Sequence, residues 1–154
     1  MKPSLKKILN YQNENVISRF VDKYDVTEQE ANELFAETKK FLYLSHFERV
    51  FITNDILIID EMWHNFVLFT SDYQKFCDTY FGRFKHHQPS TKAEKEEREL
   101  KKVENQDLAQ KEFLENIEWL MSVTYDRLGH ETVEKWFEKF PETYSAKQIK
   151  ALTK

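Results

Sequence analysis

The sequence predicts an all-α protein, a single-domain helical bundle of about six helices around one central buried helix. Glycine and proline together number five in 154 residues, which is few for the many turns of an all-β fold. Apolar residues make up 40% of the chain and recur at helical spacing, while 32% of the residues are charged, as in ordinary globular proteins. A chain of this length can bury a real core, so we expect residues 1–154 to form one helical domain.

Composition also limits which cellular compartment and which classes of partner are expected for the protein. The net charge of −4 weighs against a nucleic-acid partner, because phosphate binding needs a basic face. A single cysteine, Cys77, cannot form an internal disulfide, which fits a reducing compartment. No segment approaches the roughly 20 apolar residues of a membrane span, and the N-terminus lacks the apolar run of a signal peptide. We therefore expect a cytoplasmic protein whose partner is a small molecule, a peptide or another protein.

Two helices are predicted before the centre of the chain. Val16, Phe20 and Val21 are spaced at i, i+4 and i+5, as in a short amphipathic helix over residues 13–24. The pattern T-E-Q-E then begins at Thr27 and is a capping box, in which the first hydroxyl and the last carboxylate cap each other's amides. It predicts the start of a longer helix over about residues 28–47.

The predicted central helix covers about residues 56–80 and ends at Gly82, a residue that suits a helix C-terminus. One face of this helix is apolar and should be buried in the core. That face carries Ile58, Ile59, Met62, Phe66, Phe69, Tyr73, Phe76, Cys77 and Tyr80. Cys77 lies within the apolar stripe, so we expect an inert thiol with a raised pKa rather than a nucleophile.

The second half of the chain begins with a highly charged segment, which is followed by segments with the apolar spacing of buried helices. Residues 92–112 carry many charges of both signs and few apolar residues, which favours an exposed helix or a linker. Residues 113–128 have helical apolar spacing and are followed by Gly129, which suits a helix end. The apolar residues within 130–140 also have helical spacing, which predicts another helix. We expect this helix to end at Pro141, because proline clashes with a continuing helix.

Candidate chemistry is concentrated between residues 55 and 89, which hold three of the five histidines. His64 lies on the opposite side of the central helix from the apolar stripe, and His86 and His87 lie in the loop that follows Gly82. Together they could supply three imidazole ligands to zinc, copper or iron and leave one position open. Asp60, one turn before His64, could be a fourth ligand or could orient the ring of His64.

Two interpretations of these histidines stay open at this stage. In the first, the protein binds a metal ion, and it is an enzyme if a substrate uses the open coordination position. A redox metal would support oxidation of a small molecule or peptide. Zinc would imply either hydrolysis or a purely structural metal site. In the second, the histidines are structural and the protein is a non-catalytic interaction module. Such a module would dock another protein through an aromatic groove or through the charged helix.

The same segment resembles the bacterial members of the glycine-rich domain-containing protein-like family. The shared pattern runs from a Trp-His pair, through a Tyr and a Cys, to a Gly and a His-His pair before a Pro. The matching residues are Asp60, Glu61, Trp63, His64, Thr70, Tyr73, Cys77, Gly82, Phe84, His86, His87 and Pro89. The resemblance implies no defined activity. It also has departures, because many members of that family have a second His at the position of Phe66 and acidic residues at those of Phe69 and Phe76.

Overall fold

The computed structural model describes residues 2–154, and within that range the chain is helical and contains no β-strand. The α-helices in chain order are α1 (Leu5–Asn10), α2 (Glu14–Lys23), α3 (Glu28–Phe47), α4 (Leu57–Val67), α5 (Thr70–Phe81), α6 (Lys92–Glu104), α7 (Gln106–Leu128), α8 (His130–Glu134), α9 (Phe140–Thr143) and α10 (Ala146–Leu152). The predicted all-α class is confirmed. The predicted arrangement of about six helices around one central helix is not.

The long helix α3 lies at the centre of the packing, against α1, α2, α4 and α7. Its N-terminus has the predicted capping box, with both the Thr27 hydroxyl and the Glu30 carboxylate in place. Nine of its residues are buried, among them the fully buried Leu42 and Leu44. No helix among residues 2–154 has the length and apolar character needed to cross a bilayer.

The predicted continuous helix over residues 56–80 is wrong, because the chain bends between α4 and α5. Leu68 is exposed at the bend, and Phe69 has ψ of 67°, outside the helical region. The bend places the ring of Phe76 5.1 Å from that of Phe66. In a straight helix, ten residues would separate these two positions by about 15 Å. Bending therefore gathers the aromatic stripe into one cluster instead of leaving it along a rod.

The predicted stop at Pro141 is also wrong. The helix widens into a π-helical turn over Lys135–Lys139, in which the Phe140 amide donates to the carbonyl of residue 135, five positions back. Pro141 then falls in the first turn of α9, where its missing N–H is not needed. The same turn holds the fully buried Trp136, whose indole N–H donates to the buried carboxylate of Glu37 at 3.0 Å. The irregular turn is thus fastened to α3.

Lys39 of α3 is a buried charge that serves as a helix cap. Its ammonium group donates to the carbonyls of Leu9 and Tyr11, at the C-terminal end of α1, and lies 4.7 Å from the centre of the Phe35 ring. Only 4% of Lys39 is exposed. Burial disfavours the charged form and lowers the pKa of Lys39 to about 8.

Candidate functional site

The helix α4 presents Asp60 and His64 on one face, because residues four apart in a helix are neighbours. The Asp60 side chain is 39% exposed and His64 is exposed, so both can be reached from solvent. Trp63 lies between them in the chain and is partly buried, with its ring against that of Phe41. One wall of the site is therefore rigid and rests on the core.

The opposite wall is the loop that follows α5. Gly82 ends α5 in the left-handed conformation, with φ of 69°, as its position predicts. The loop is then held by the fully buried Tyr73, whose hydroxyl donates to the carbonyl of Lys85. The same hydroxyl accepts a hydrogen bond from the indole N–H of Trp63 at 3.0 Å. This chain of two hydrogen bonds fixes the loop against α4.

His87 is the residue that the loop delivers to the site. Its Nε2 atom lies 2.8 Å from Oδ1 of Asp60, and its ring packs edge-on against Trp63 at 4.5 Å between centroids. The His87 side chain is only 16% exposed. The ring of His64 lies 5.7 Å from that of His87. The structure therefore brings Asp60, His64 and His87 together, although 27 residues separate the first from the last.

His86 is placed elsewhere. Its ring packs edge-on against Phe84 at 4.9 Å between centroids, and the residue is exposed. Of the adjacent pair, it is His87 that lies against α4, through its contacts with Asp60 and Trp63. Of the four predicted ligands, His86 is the one that the structure does not bring to the cluster.

The cluster is not a finished coordination sphere. Among residues 2–154 no group of three or more His, Cys, Asp and Glu side chains is already arranged to hold a metal ion. The Nε2 atom of His87 and the carboxylate of Asp60 instead form a hydrogen bond with each other. With an ionised Asp60, the ring nitrogen is the donor. Asp60 therefore orients His87, whereas the sequence suggested either a ligand role for Asp60 or the orientation of His64.

Cys77 takes no part in this cluster. It is fully buried, and burial raises the pKa of its thiol, as its place in the apolar stripe predicts. Lys85, by contrast, has no sequence signal: it is buried with its ammonium group 5.0 Å from the centre of the Phe81 ring. Burial, followed by the nearby charge of Arg83, lowers the pKa of Lys85 to about 8. The role of Tyr73 in holding the loop was also not predicted, because its spacing in the sequence is that of an ordinary core aromatic residue.

Comparison with known proteins replaces the resemblance drawn from the sequence. The family model described as UCP032817-like matches residues 5–117 of the 154-residue chain. No curated protein and no solved structure matches the chain. The assignment to the glycine-rich domain-containing protein-like family is therefore wrong, and the pattern from Trp63 to Pro89 does not identify that family here.

Proposed function

Since the chain belongs to the UCP032817-like family, whose description names no activity, we propose a function from the geometry of its own residues: it binds a divalent transition-metal ion through Asp60, His64 and His87. The observation that carries the proposal is the 2.8 Å separation between Nε2 of His87 and Oδ1 of Asp60. Two ligands at the tetrahedral angle of a zinc site, with bonds of about 2.1 Å, are roughly 3.4 Å apart, about 0.6 Å more than this separation. An ion can thus replace the proton that the two groups share, with little movement of either.

His64 supplies the third donor. It lies one helical turn after Asp60, and its ring centre is 5.7 Å from that of His87. His64 is exposed, so turning its ring toward the ion disrupts no core packing. His87 and Asp60 are held in advance, whereas His64 closes on the ion after it arrives. This order accounts for a site in which two of the three donors lie in contact and the third lies nearby.

Two imidazoles and one carboxylate are a ligand set that zinc, copper and iron all accept. Three protein ligands leave at least one position for water or a substrate, which is the feature that metal catalysis requires. A redox metal at this position would support oxidation of a small molecule or peptide, and zinc would support hydrolysis. The exposed side of His64 gives a substrate access to the ion.

The test is a titration of untagged protein with Zn²⁺ and with Cu²⁺, followed by calorimetry. Asp60→Ala, His64→Ala and His87→Ala should each weaken binding at least tenfold, because each removes one ligand. His86→Ala is the matched control, since it removes an exposed histidine next to the site, and its affinity should equal that of the wild type. Absence of binding, or an equal loss in His86→Ala, would contradict the proposal. Far-UV circular dichroism checks that each variant is folded.

A further inference from the structure

Lys85 is a buried cation without an anionic partner. The residue is only 8% exposed, and its ammonium group lies 5.0 Å from the centre of the Phe81 ring. Within residues 2–154, no carboxylate forms an ion pair with Lys85 and no acceptor forms a hydrogen bond with its ammonium group. A buried charge is costly unless an opposite charge accompanies it. The side chain of Lys85 can therefore accept an anion that the chain itself does not supply.

A second cation, Arg83, lies at the same place. Its guanidinium group donates to the carbonyl of His46 at 3.5 Å, and the ring of His46 stacks on that of Phe81 at 5.8 Å between centroids. Lys85 contacts the same Phe81 ring, so the two cations gather around it. Arg83 likewise has no ion pair with any carboxylate of the described chain. The result is a pair of positive charges with no negative charge between them.

We propose that Arg83 and Lys85 bind a phosphate group, either free or carried on a small organic molecule. A guanidinium group matches the geometry of phosphate oxygens, and an ammonium group adds a point charge. A phosphate group carries between about 1.5 and 2 negative charges near pH 7, which balances the two cations, whereas a carboxylate carries only one. The proposal does not rest on the proposed metal site, since neither residue is one of its ligands.

The two cations can be reached by such a ligand. Arg83 is exposed, and the Nζ atom of Lys85 is not sealed from solvent although most of its side chain is covered. Phe84, between them in the chain, is 41% exposed. Its ring offers an apolar contact to the organic part of a phosphorylated molecule.

A lysine can also lie over an aromatic ring simply to shield it, with its ammonium group in water. Such a lysine gains nothing from a second cation beside it, because like charges repel. The charge of Arg83 is, after burial, the next cause of the lowered pKa of Lys85. An anion between the two side chains would attract both and remove this repulsion. The presence of Arg83 therefore favours a ligand over simple shielding.

The test is a titration of the untagged full chain with sodium phosphate at about pH 7, where Lys85 is charged, followed by amide ¹H–¹⁵N NMR. EDTA is present so that no metal ion can hold the anion. The signals of residues 81–86 should shift and saturate with phosphate, and not with sodium chloride of equal ionic strength. Lys85→Met and Arg83→Gln should each weaken binding at least tenfold. Lys75→Gln is the matched control, since Lys75 is an exposed lysine on α5, and should bind as the wild type does.

Phenyl phosphate, titrated in the same way, identifies the source of the phosphate group. Equal or weaker binding of phenyl phosphate would support a site for free phosphate. Tighter binding that is lost in Phe84→Ala would support a site for a phosphorylated organic molecule.

Three results would overturn the proposal. Signals that phosphate and chloride shift alike would show charge screening alone. Binding that either Lys85→Met or Arg83→Gln leaves intact would place the anion elsewhere. An equal loss in Lys75→Gln would show a general effect of net charge. Lys85→Met keeps an aliphatic stem over the Phe81 ring, so this variant should stay folded, and the circular dichroism spectrum of each variant should match that of the wild type.

Discussion

The hydroxyl group of Tyr73 connects the core to the loop of the candidate site through two hydrogen bonds. Removing it tests whether these bonds hold the loop in place. Tyr73→Phe removes one oxygen and keeps the ring in the core. The change leaves the buried carbonyl of Lys85 without a donor, which costs about 1–3 kcal/mol. It also leaves the partly buried indole N–H of Trp63 without its acceptor, which costs about 1 kcal/mol more. We expect the free energy of unfolding to fall by about 2–4 kcal/mol.

The matched control is Tyr24→Phe. Tyr24 is also buried, but its hydroxyl donates at 2.6 Å to Glu61, a partly exposed carboxylate that water can solvate when the hydroxyl is gone. That variant should lose only about 1 kcal/mol. Urea unfolding followed by tryptophan fluorescence and by circular dichroism measures both values. If Tyr73→Phe costs no more than Tyr24→Phe, the hydroxyl of Tyr73 does not hold the loop, and the position of His87 is not preformed by it.

Two other predictions concern the backbone and a buried charge. Gly129→Ala should lower the free energy of unfolding by about 1–3 kcal/mol through backbone strain alone, because φ is +92° and the added carbon would meet nothing within 4 Å beyond its neighbours in the chain. Thermal unfolding measures this, and an unchanged midpoint would contradict it. In the folded chain the pKa of Lys39 is lowered from 10.5 to about 8. Between these two pH values the unfolded chain therefore binds more protons than the folded chain, so stability rises with pH. The contribution of Lys39 to the free energy of unfolding should increase by at most about 2 kcal/mol from pH 7.5 to 9.5. Urea unfolding of the wild type and of Lys39→Met at both pH values isolates that contribution, and an equal rise in the two proteins would count against it.

Local signals in the sequence predicted the parts of the fold that depend on neighbouring residues. The capping box that begins at Thr27 and the left-handed Gly82 formed as their positions indicate. Each involves atoms within a few residues, so packing elsewhere does not alter it. The bend at Leu68 has no such signal, because no glycine or proline marks it and the cause is the gathering of aromatic rings from α4 and α5. The continuation of the helix past Pro141 likewise depends on a π-helical turn, which the residue types in this segment do not predict.

The candidate site divides in the same way. Asp60 and His64 follow from helical spacing, so the sequence could place them on one face. The position of His87 depends on a hydrogen bond from Tyr73 to a loop carbonyl, and in the apolar pattern Tyr73 cannot be told from a phenylalanine. Nothing in an adjacent pair of histidines states which of the two turns toward the helix. The structure shows that His87 turns toward α4, whereas His86 packs against Phe84.

The most direct test of the proposed metal site is the nitrogen spectrum of the His87 ring, recorded by long-range ¹H–¹⁵N NMR with and without Zn²⁺. Without metal, Nε2 should carry the proton that it donates to Asp60. With Zn²⁺, Nε2 should lose that proton and shift to the range of a metal-bound nitrogen, together with one nitrogen of His64. A His87 spectrum that zinc leaves unchanged, or one that places the metal on Nδ1, would contradict the account.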